Sequence, residues 1–327
     1  MSKLFLLAAI FLAAAVASAA QTAPQIPATP VSLETILSEA ERQTARYKEN
    51  FNNLLAEEIK TFDEYDKNGS IKDTRRIESN FLVYQSMKNP GITAEYRNVT
   101  KVDNKPVGNI ERRAEDFFKD LLKSGSVEKE LEKIQKEGSR FDRKLDIKGL
   151  TLNQAPILAA HIRPFIEFTL TGEERVEGRD AYVIDYVQKS KSPYILFDDD
   201  ERKPDRLYLI YFLDLPKRFR RNEPFLKGRL LIDRETFEVL GEQRNVLVRP
   251  ENGQTPFPVM ETSFSYQFSD VGALTPKKIV LTDYNIRTKG DEFTVTIDNR
   301  ATFEYTKFTR SDVEVKSGEV VAPKIDN

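Results

Sequence analysis

The sequence predicts an α+β fold, a large curved antiparallel sheet forming an incomplete β-barrel with helices packed over its concave side. Beyond Ile162 nearly every segment alternates apolar and polar residues with the period of a strand. The segments are joined mostly by short turns, which only antiparallel neighbours allow. Helical periodicity is confined to the first ordered segment and to one long excursion, so three or four helices face ten or eleven strands. A sheet that large twists and curls, and helices can close its open side.

The chain opens with Met1 to Ala20, where Lys3 precedes the apolar run Leu4 to Val16 and the small residues Ala17-Ser18-Ala19. The run is shorter than the ~20 residues needed to span a bilayer and has the form of a secretory signal. Residues 1–19 are therefore expected to be a signal peptide, which makes the periplasm the default location. Residues 20–32 read as a Pro-rich linker, containing QTAPQIPATP. No cysteine stands at the cleavage site, so no lipid anchor is expected there.

Ser32 offers an N-cap, and Leu33, Ile36, Leu37 and Ala40 recur at helical spacing, predicting a helix over Leu33 to Asn50. The period then becomes two. Leu55, Glu57, Ile59, Thr61, Asp63 and Tyr65 fall on one side of a strand, and Asn68-Gly69 supplies a tight hairpin into Ser70 to Gln85. A third strand over Thr93 to Val102 ends at Asp103-Asn104-Lys105-Pro106. The helical insertion, about residues 107–148, has Phe117/Leu121 and Phe118/Leu122 as i,i+4 pairs and a break at Gly125.

Strands follow over Phe165 to Arg175, Arg179 to Gln188, Leu207 to Leu213, Lys227 to Ile232 and Phe237 to Val248. The strongest alternation comes last. Phe264, Tyr266 and Phe268, then Phe293, Val295, Ile297, Ala301, Phe303 and Tyr305, share a parity and are expected to line one face, opposite Ser263, Ser265, Thr294 and Thr302. Residues 311–327 lose the alternation and read as a flexible tail.

Composition removes most chemistry. With 50 Lys and Arg against 52 Asp and Glu the formal net charge is −2, which gives no electrostatic basis for nucleic-acid binding. There is no cysteine and a single histidine, His161, expected near the end of a short apolar helix in a structural role, so thiol catalysis, iron–sulfur clusters and multi-histidine metal sites are excluded. No metal and no cofactor is expected. Glu64, Asp66 and Asn68 sit at the first, third and fifth positions of an EF-hand register, but the twelfth is Arg75, so a hairpin turn explains them better. Asp198-Asp199-Asp200-Glu201 reads as a solvated loop. Lys217, Arg218, Arg220 and Arg221 flank Phe219 in the densest basic cluster, which is suited to anionic headgroups or an acidic partner, or is simply an exposed turn.

The phrases Val176-Glu177-Gly178-Arg179-Asp180-Ala181-Tyr182-Val183-Ile184, Gly228-Arg229-Leu230-Leu231-Ile232-Asp233 with Thr236-Phe237-Glu238-Val239-Leu240, and Leu274-Thr275-Pro276-Lys277-Lys278-Ile279 are strand-and-turn patterns. Through them, and through the order of elements, residues 33–310 resemble a single LolA-like half-barrel domain of the periplasmic lipoprotein carriers and lipoprotein-sorting proteins. The resemblance implies a curved sheet whose concave face takes acyl chains beneath helices. The chain is longer than the compact carriers, by the charged insertion around Glu111 to Lys144.

The leading expectation is thus a non-catalytic lipid- or acyl-chain-binding protein of the cell envelope, a carrier or a lipid-responsive partner, with lipid or a lipidated protein as its ligand and no membrane span in the mature chain. The candidate lipid-binding residues are Phe264, Tyr266, Phe268, Phe293, Val295, Ile297, Phe303 and Tyr305, with Lys217, Arg218, Arg220 and Arg221 as headgroup or partner contacts. A second reading is an envelope interaction scaffold whose concave face is filled by its own helices. A third is an exported hydrolase working through paired carboxylates, for which no pair stands out. A large apolar pocket favours the first and a filled interior the second.

Overall fold

The computed structural model describes residues 31–51, 54–86, 88–89, 92–143, 151–197, 208–250, 255–290 and 292–310. The expected signal peptide, the linker as far as residue 30, the Asp198–Glu201 loop and the tail at 311–327 lie outside these residues. In chain order the elements are α1 (Leu33–Asn50), β1 (Leu54–Tyr65), β2 (Ile71–Gln85), β3 (Thr93–Val102), β4 (Lys105–Pro106), α2 (Ile110–Leu122), α3 (Val127–Gly138), β5 (Ile166–Val176) and β6 (Arg179–Gln188). They continue with β7 (Ile195–Leu196), β8 (Leu209–Ile210), β9 (Pro224–Asp233), β10 (Val239–Val248), β11 (Phe257–Phe268), β12 (Leu274–Lys289) and β13 (Glu292–Arg310).

Eleven strands form one antiparallel sheet in the order β4-β3-β2-β1-β13-β12-β11-β10-β9-β6-β5. The outer strands β4 and β5 do not pair with each other, so the sheet is open, as predicted, with the three helices packed against it. The return of β13 to the side of β1 joins the first hairpin to the last strands and puts the first and last described strands side by side in the middle of the sheet. No described helix is long and apolar enough to cross a membrane.

Turn chemistry sets the register. At the first hairpin Gly69 takes φ 81° while Asp66 Oδ1 accepts from the Asn68 and Ser70 amides at 2.8 and 3.0 Å. The residues resembling an EF-hand are therefore an Asx-stabilised turn. Glu177 and Gly178, at φ 48° and 87°, make the primed turn between β5 and β6. Asp233, 1% exposed, accepts from the amides of Glu235 and Thr236 and holds the turn into β10.

α1 has the predicted bounds and buries Ile36, Leu37, Ala40 and Tyr47 in the main core. α2 and α3, separated at the expected break, cover β3 through a smaller core of Tyr84, Tyr96, Leu121 and Ile134. Ser126 caps α3, its hydroxyl accepting from the Lys129 amide.

Two expectations are corrected. The segment at Leu207 to Leu213 is not a strand of the large sheet; of it only Leu209–Ile210 is extended, in a short parallel pair with Ile195–Leu196. It runs over the core as a strap, burying Leu209 and Tyr211 and then Leu215 and Phe219, while Phe212 points out and is 57% exposed. His161 does not end a regular helix. It sits between two short 3-10 turns, Pro156–Leu158 and Arg163–Phe165, with its ring edge-on to Tyr194 at 4.7 Å.

Candidate functional site

On β1 the side opposite Leu55, Glu57 and Ile59 faces the interior: Leu54, Ala56, Glu58, Lys60 and Phe62 are buried there. This face continues over β13 through Ala301, Phe303 and Tyr305, and over β11 through Phe264 and Tyr266, each at most 4% exposed. The rings meet edge to face, Phe62 with Phe303 at 6.4 Å and Phe81 with Tyr305 at 5.5 Å. α1 closes over them. Tyr47 stands edge-on to Tyr266 at 5.7 Å, and Phe51, just beyond α1, packs against Phe81 and Phe308.

The predicted aromatic residues divide by place. Phe264, Tyr266, Phe303 and Tyr305 are buried together, while Phe293, Val295 and Ile297 are half-buried nearer the start of β13. Phe268 departs from the expected sharing of that face. It is 45% exposed at the end of β11, beyond the last β10 pairing at Ser265 though still paired with Leu274 of β12, and the Arg179 guanidinium lies 4.7 Å from its ring centroid. Phe293 is covered by Phe219 at 5.3 Å and touches Phe257 at 4.8 Å. The basic cluster thus carries a plug: Phe219 is 1% exposed, while Lys217, Arg218, Arg220 and Arg221 around it are exposed.

Two buried charge networks flank the rings, and sequence reasoning missed both. In the first, Arg97 Nε donates to Glu58 Oε1 at 2.7 Å and its Nη2 donates to Glu95 Oε2 at 2.9 Å. Glu95 Oε1 accepts from the Thr151 amide at 2.8 Å, and the Thr151 hydroxyl shares a 2.9 Å hydrogen bond with the Tyr305 hydroxyl. The Tyr47 hydroxyl donates to the Thr151 carbonyl at 2.9 Å, so the network ties α1, β1, β3 and β13 together. Lys60 Nζ donates to Asp142 Oδ2 at 2.8 Å and to the Gly138 carbonyl at 3.2 Å, holding the end of α3.

Burial alone would raise the Glu58 carboxyl, but Arg97 and Lys60 beside it bring it below the usual range. For Lys60 and Asp142 burial prevails: the amine is pushed down and the carboxyl up despite their contact. A cavity of about 230 Å3 adjoins these groups, lined by Lys48, Lys60, Glu95, Arg97, Gln135 and Asp142 among others. Its walls mix these charged groups with Ala94, Leu131, Ile134 and Leu152, unlike a wholly apolar acyl slot. Each of the three carboxylates Glu58, Glu95 and Asp142 is held by an internal cation or amide, so the network braces the sheet.

In the second network Arg244 donates to both oxygens of Glu242, at 2.9 and 2.6 Å, and lies over the Phe264 ring at 5.1 Å. The Tyr186 hydroxyl donates to Glu242 Oε1 at 3.0 Å. Glu242 and Arg244 are 2% and 6% exposed, so polar strips break the apolar face into patches. Among the described residues no group of three His, Asp or Glu side chains could hold a metal ion.

Asp283, on β12, lies outside these networks. Burial and the neighbouring carboxylates of Asp298 and Asp214 push the Asp283 carboxyl up to about 6. The folded protein therefore binds a proton that the unfolded chain releases at lower pH, and stability from this group falls as pH rises toward 6. Asp283→Asn is expected to raise stability by about 1–3 kcal/mol at pH 8 and by little at pH 4. Thermal melts at the two pH values check this, and an equal gain at both would refute it.

No protein-family model matches the sequence, and no curated protein matches it. Among solved structures, a DUF1329 family protein from Desulfovibrio piger is similar over 86% of this chain and 94% of its own, at 12% identity and a TM-score of 0.32. A LolA superfamily protein from Nitrosomonas europaea is similar over 86% and 95%, at 10% identity and a TM-score of 0.31. The Mycobacterium tuberculosis lipoprotein LppX is similar over 87% and 100%, at 8% identity and a TM-score of 0.25.

Proposed function

We propose that this protein is a non-catalytic acyl-chain binder of the cell envelope, a carrier or lipid-responsive partner, whose ligand lies between the sheet and its cover. The observation that carries this reading is how the aromatic face is closed. A sheet face holding Phe62, Phe264, Tyr266, Phe303 and Tyr305 is covered by α1 and by the strap that ends in Phe219, neither of them hydrogen-bonded into the sheet as a strand. α1 buries four of its 18 residues and is held besides by the Tyr47 hydroxyl on the Thr151 carbonyl, Gln43 on the Thr236 carbonyl and Glu41 on the Ala160 amide, so displacing it breaks these hydrogen bonds and uncovers apolar area but breaks no strand pair. The candidate ligand contacts remain those of the sequence reading, with Phe268 moved to the edge.

A specific observation favours the scaffold reading as the alternative. The chain's own rings and α1 fill the face, and an acyl chain enters only by pushing them aside. Native mass spectrometry of protein purified from its own envelope, followed by lipid extraction, separates the two. A stoichiometric acyl ligand is the expected result; protein free of lipid but bound to another envelope protein would replace the carrier with the scaffold.

A further inference from the structure

The end of the sheet where β10 and β12 finish and β9, β11 and β13 begin is strongly basic. Lys217, Arg218, Arg220 and Arg221 come from the strap, Arg249 follows β10, and Arg287 and Lys289 lie on the last turn of β12; all seven are exposed. Hydrogen bonds hold these pieces in one rim: Arg218 donates to the Gly290 carbonyl, Arg220 to the Leu215 carbonyl, and Asn222 to the Arg249 carbonyl at 2.6 Å. Only three described carboxylates share it, Asp214, Glu223 and Glu292; Glu251 and Asp291 lie outside the described residues.

Elsewhere on the sheet several exposed cations are matched, although Lys105, Arg175, Lys227 and Arg310 form no ion pair with a described residue. Arg229 pairs with Asp185 at 2.6 Å, Lys307 with Glu57 at 2.9 Å, and Lys278 with Glu304 at 3.3 Å. No ion pair with a described residue forms at Lys217, Arg220, Arg221, Arg249, Arg287 or Lys289. In a chain of net charge −2, seven exposed cations at one end, six of them without an ion pair to a described residue, are a directed field. An exposed ring adjoins it. Phe212, 57% exposed, lies three residues before Leu215, whose carbonyl Arg220 holds. Cations with an aromatic ring at their margin suit a headgroup layer, where the charges stay in water and the ring enters the interface.

We propose that this rim docks the protein on an anionic bilayer surface. The inference is separate from the acyl-chain reading, since surface binding requires no ligand under α1, and its test reads vesicle association alone. Docking would set the Phe219 plug and Phe293 against the membrane, at the end of the apolar face.

The test is co-sedimentation of the purified protein with vesicles of phosphatidylglycerol and phosphatidylethanolamine, and with vesicles of phosphatidylcholine alone. Binding to the anionic vesicles at about 0.05 M salt, lost by about 0.5 M, is expected, with none to the neutral ones. Combining Lys217→Glu, Arg221→Glu, Arg287→Glu and Lys289→Glu should lower the binding constant at least ~10-fold, and Phe212→Ser by ~3-fold. A control with Lys123, Lys277, Lys278 and Lys307 changed to Glu alters net charge equally away from the rim and should bind within ~2-fold of the parent. Circular dichroism confirms that each variant is folded. Equal losses in the rim and control variants would overturn the proposal. So would failure of the parent to bind anionic vesicles at low salt, even if the rim then captured an acidic protein.

Discussion

Replacing Gly228 by alanine is expected to lower stability by about 3–5 kcal/mol. Gly228 lies in β9 between Tyr186 of β6 and Arg244 of β10. A Cβ there would stand 2.0 Å from the Gln243 carbonyl oxygen and 2.4 Å from Cζ and Oη of Tyr186. The ring lies over the glycine in order to bring its hydroxyl to Glu242. A methyl group would push the carbonyl out of its strand and separate the hydroxyl from the Glu242 carboxylate that Arg244 holds. Gly241 provides the comparison: a Cβ there would meet Leu231 Cδ1 at 3.2 Å and the Phe264 carbonyl oxygen at 3.3 Å. Gly241→Ala should therefore cost about 1 kcal/mol. Denaturant midpoints of the two variants against the parent check the ranking. Equal midpoints would mean that β9 and β6 can separate at Gly228 without loss.

Why Gly228 matters could not be read from the sequence, where it was one residue in a familiar strand phrase. What was legible was whatever a short segment decides alone. The α1 bounds followed from the spacing of Ile36, Leu37 and Ala40, the first hairpin from Asn68-Gly69, and the face of β13 from the parity of Ala301, Phe303 and Tyr305. The β1 interior was hidden for a physical reason. Glu58 and Lys60 look like solvent positions, and their burial becomes tolerable only because Arg97 and Asp142, far away in the chain, supply opposite charges. The basic cluster misled in the same way, since Phe219 between four cations reads as an exposed turn until Phe257 and Phe293 are brought against it. Of the candidate site, the rings were legible; their cover and the charge networks between them were not, because those contacts join segments that no local period relates.

The buried Arg97 network is where the second large effect is expected. Arg97→Met removes the guanidinium that both Glu58 and Glu95 face, and their side chains are 0% and 7% exposed. Leaving a carboxylate buried without its cation costs about 3–5 kcal/mol, more than the pair itself contributes. Glu95 keeps the Thr151 and Leu152 amides as donors, so the larger share of the loss falls on Glu58. Glu58 is held below its usual range by Arg97, Lys60 and a hydrogen bond from Tyr305, and losing Arg97, the largest of these, lets burial raise it. The variant's folded state should then take up a proton more readily than the unfolded chain, so its deficit should be largest at pH 7 and shrink as pH falls toward 5. Adding Glu58→Gln removes the charge while keeping the shape, and the double variant should recover about 1–3 kcal/mol of the loss at pH 7 and show a flatter pH dependence. Denaturant midpoints of the parent, R97M and E58Q/R97M at pH 7 and pH 5 test this. If the double variant were no more stable than R97M at pH 7, the loss would come from the packing of Arg97 over the Phe81 ring, 5.1 Å away, and not from the stranded carboxylate.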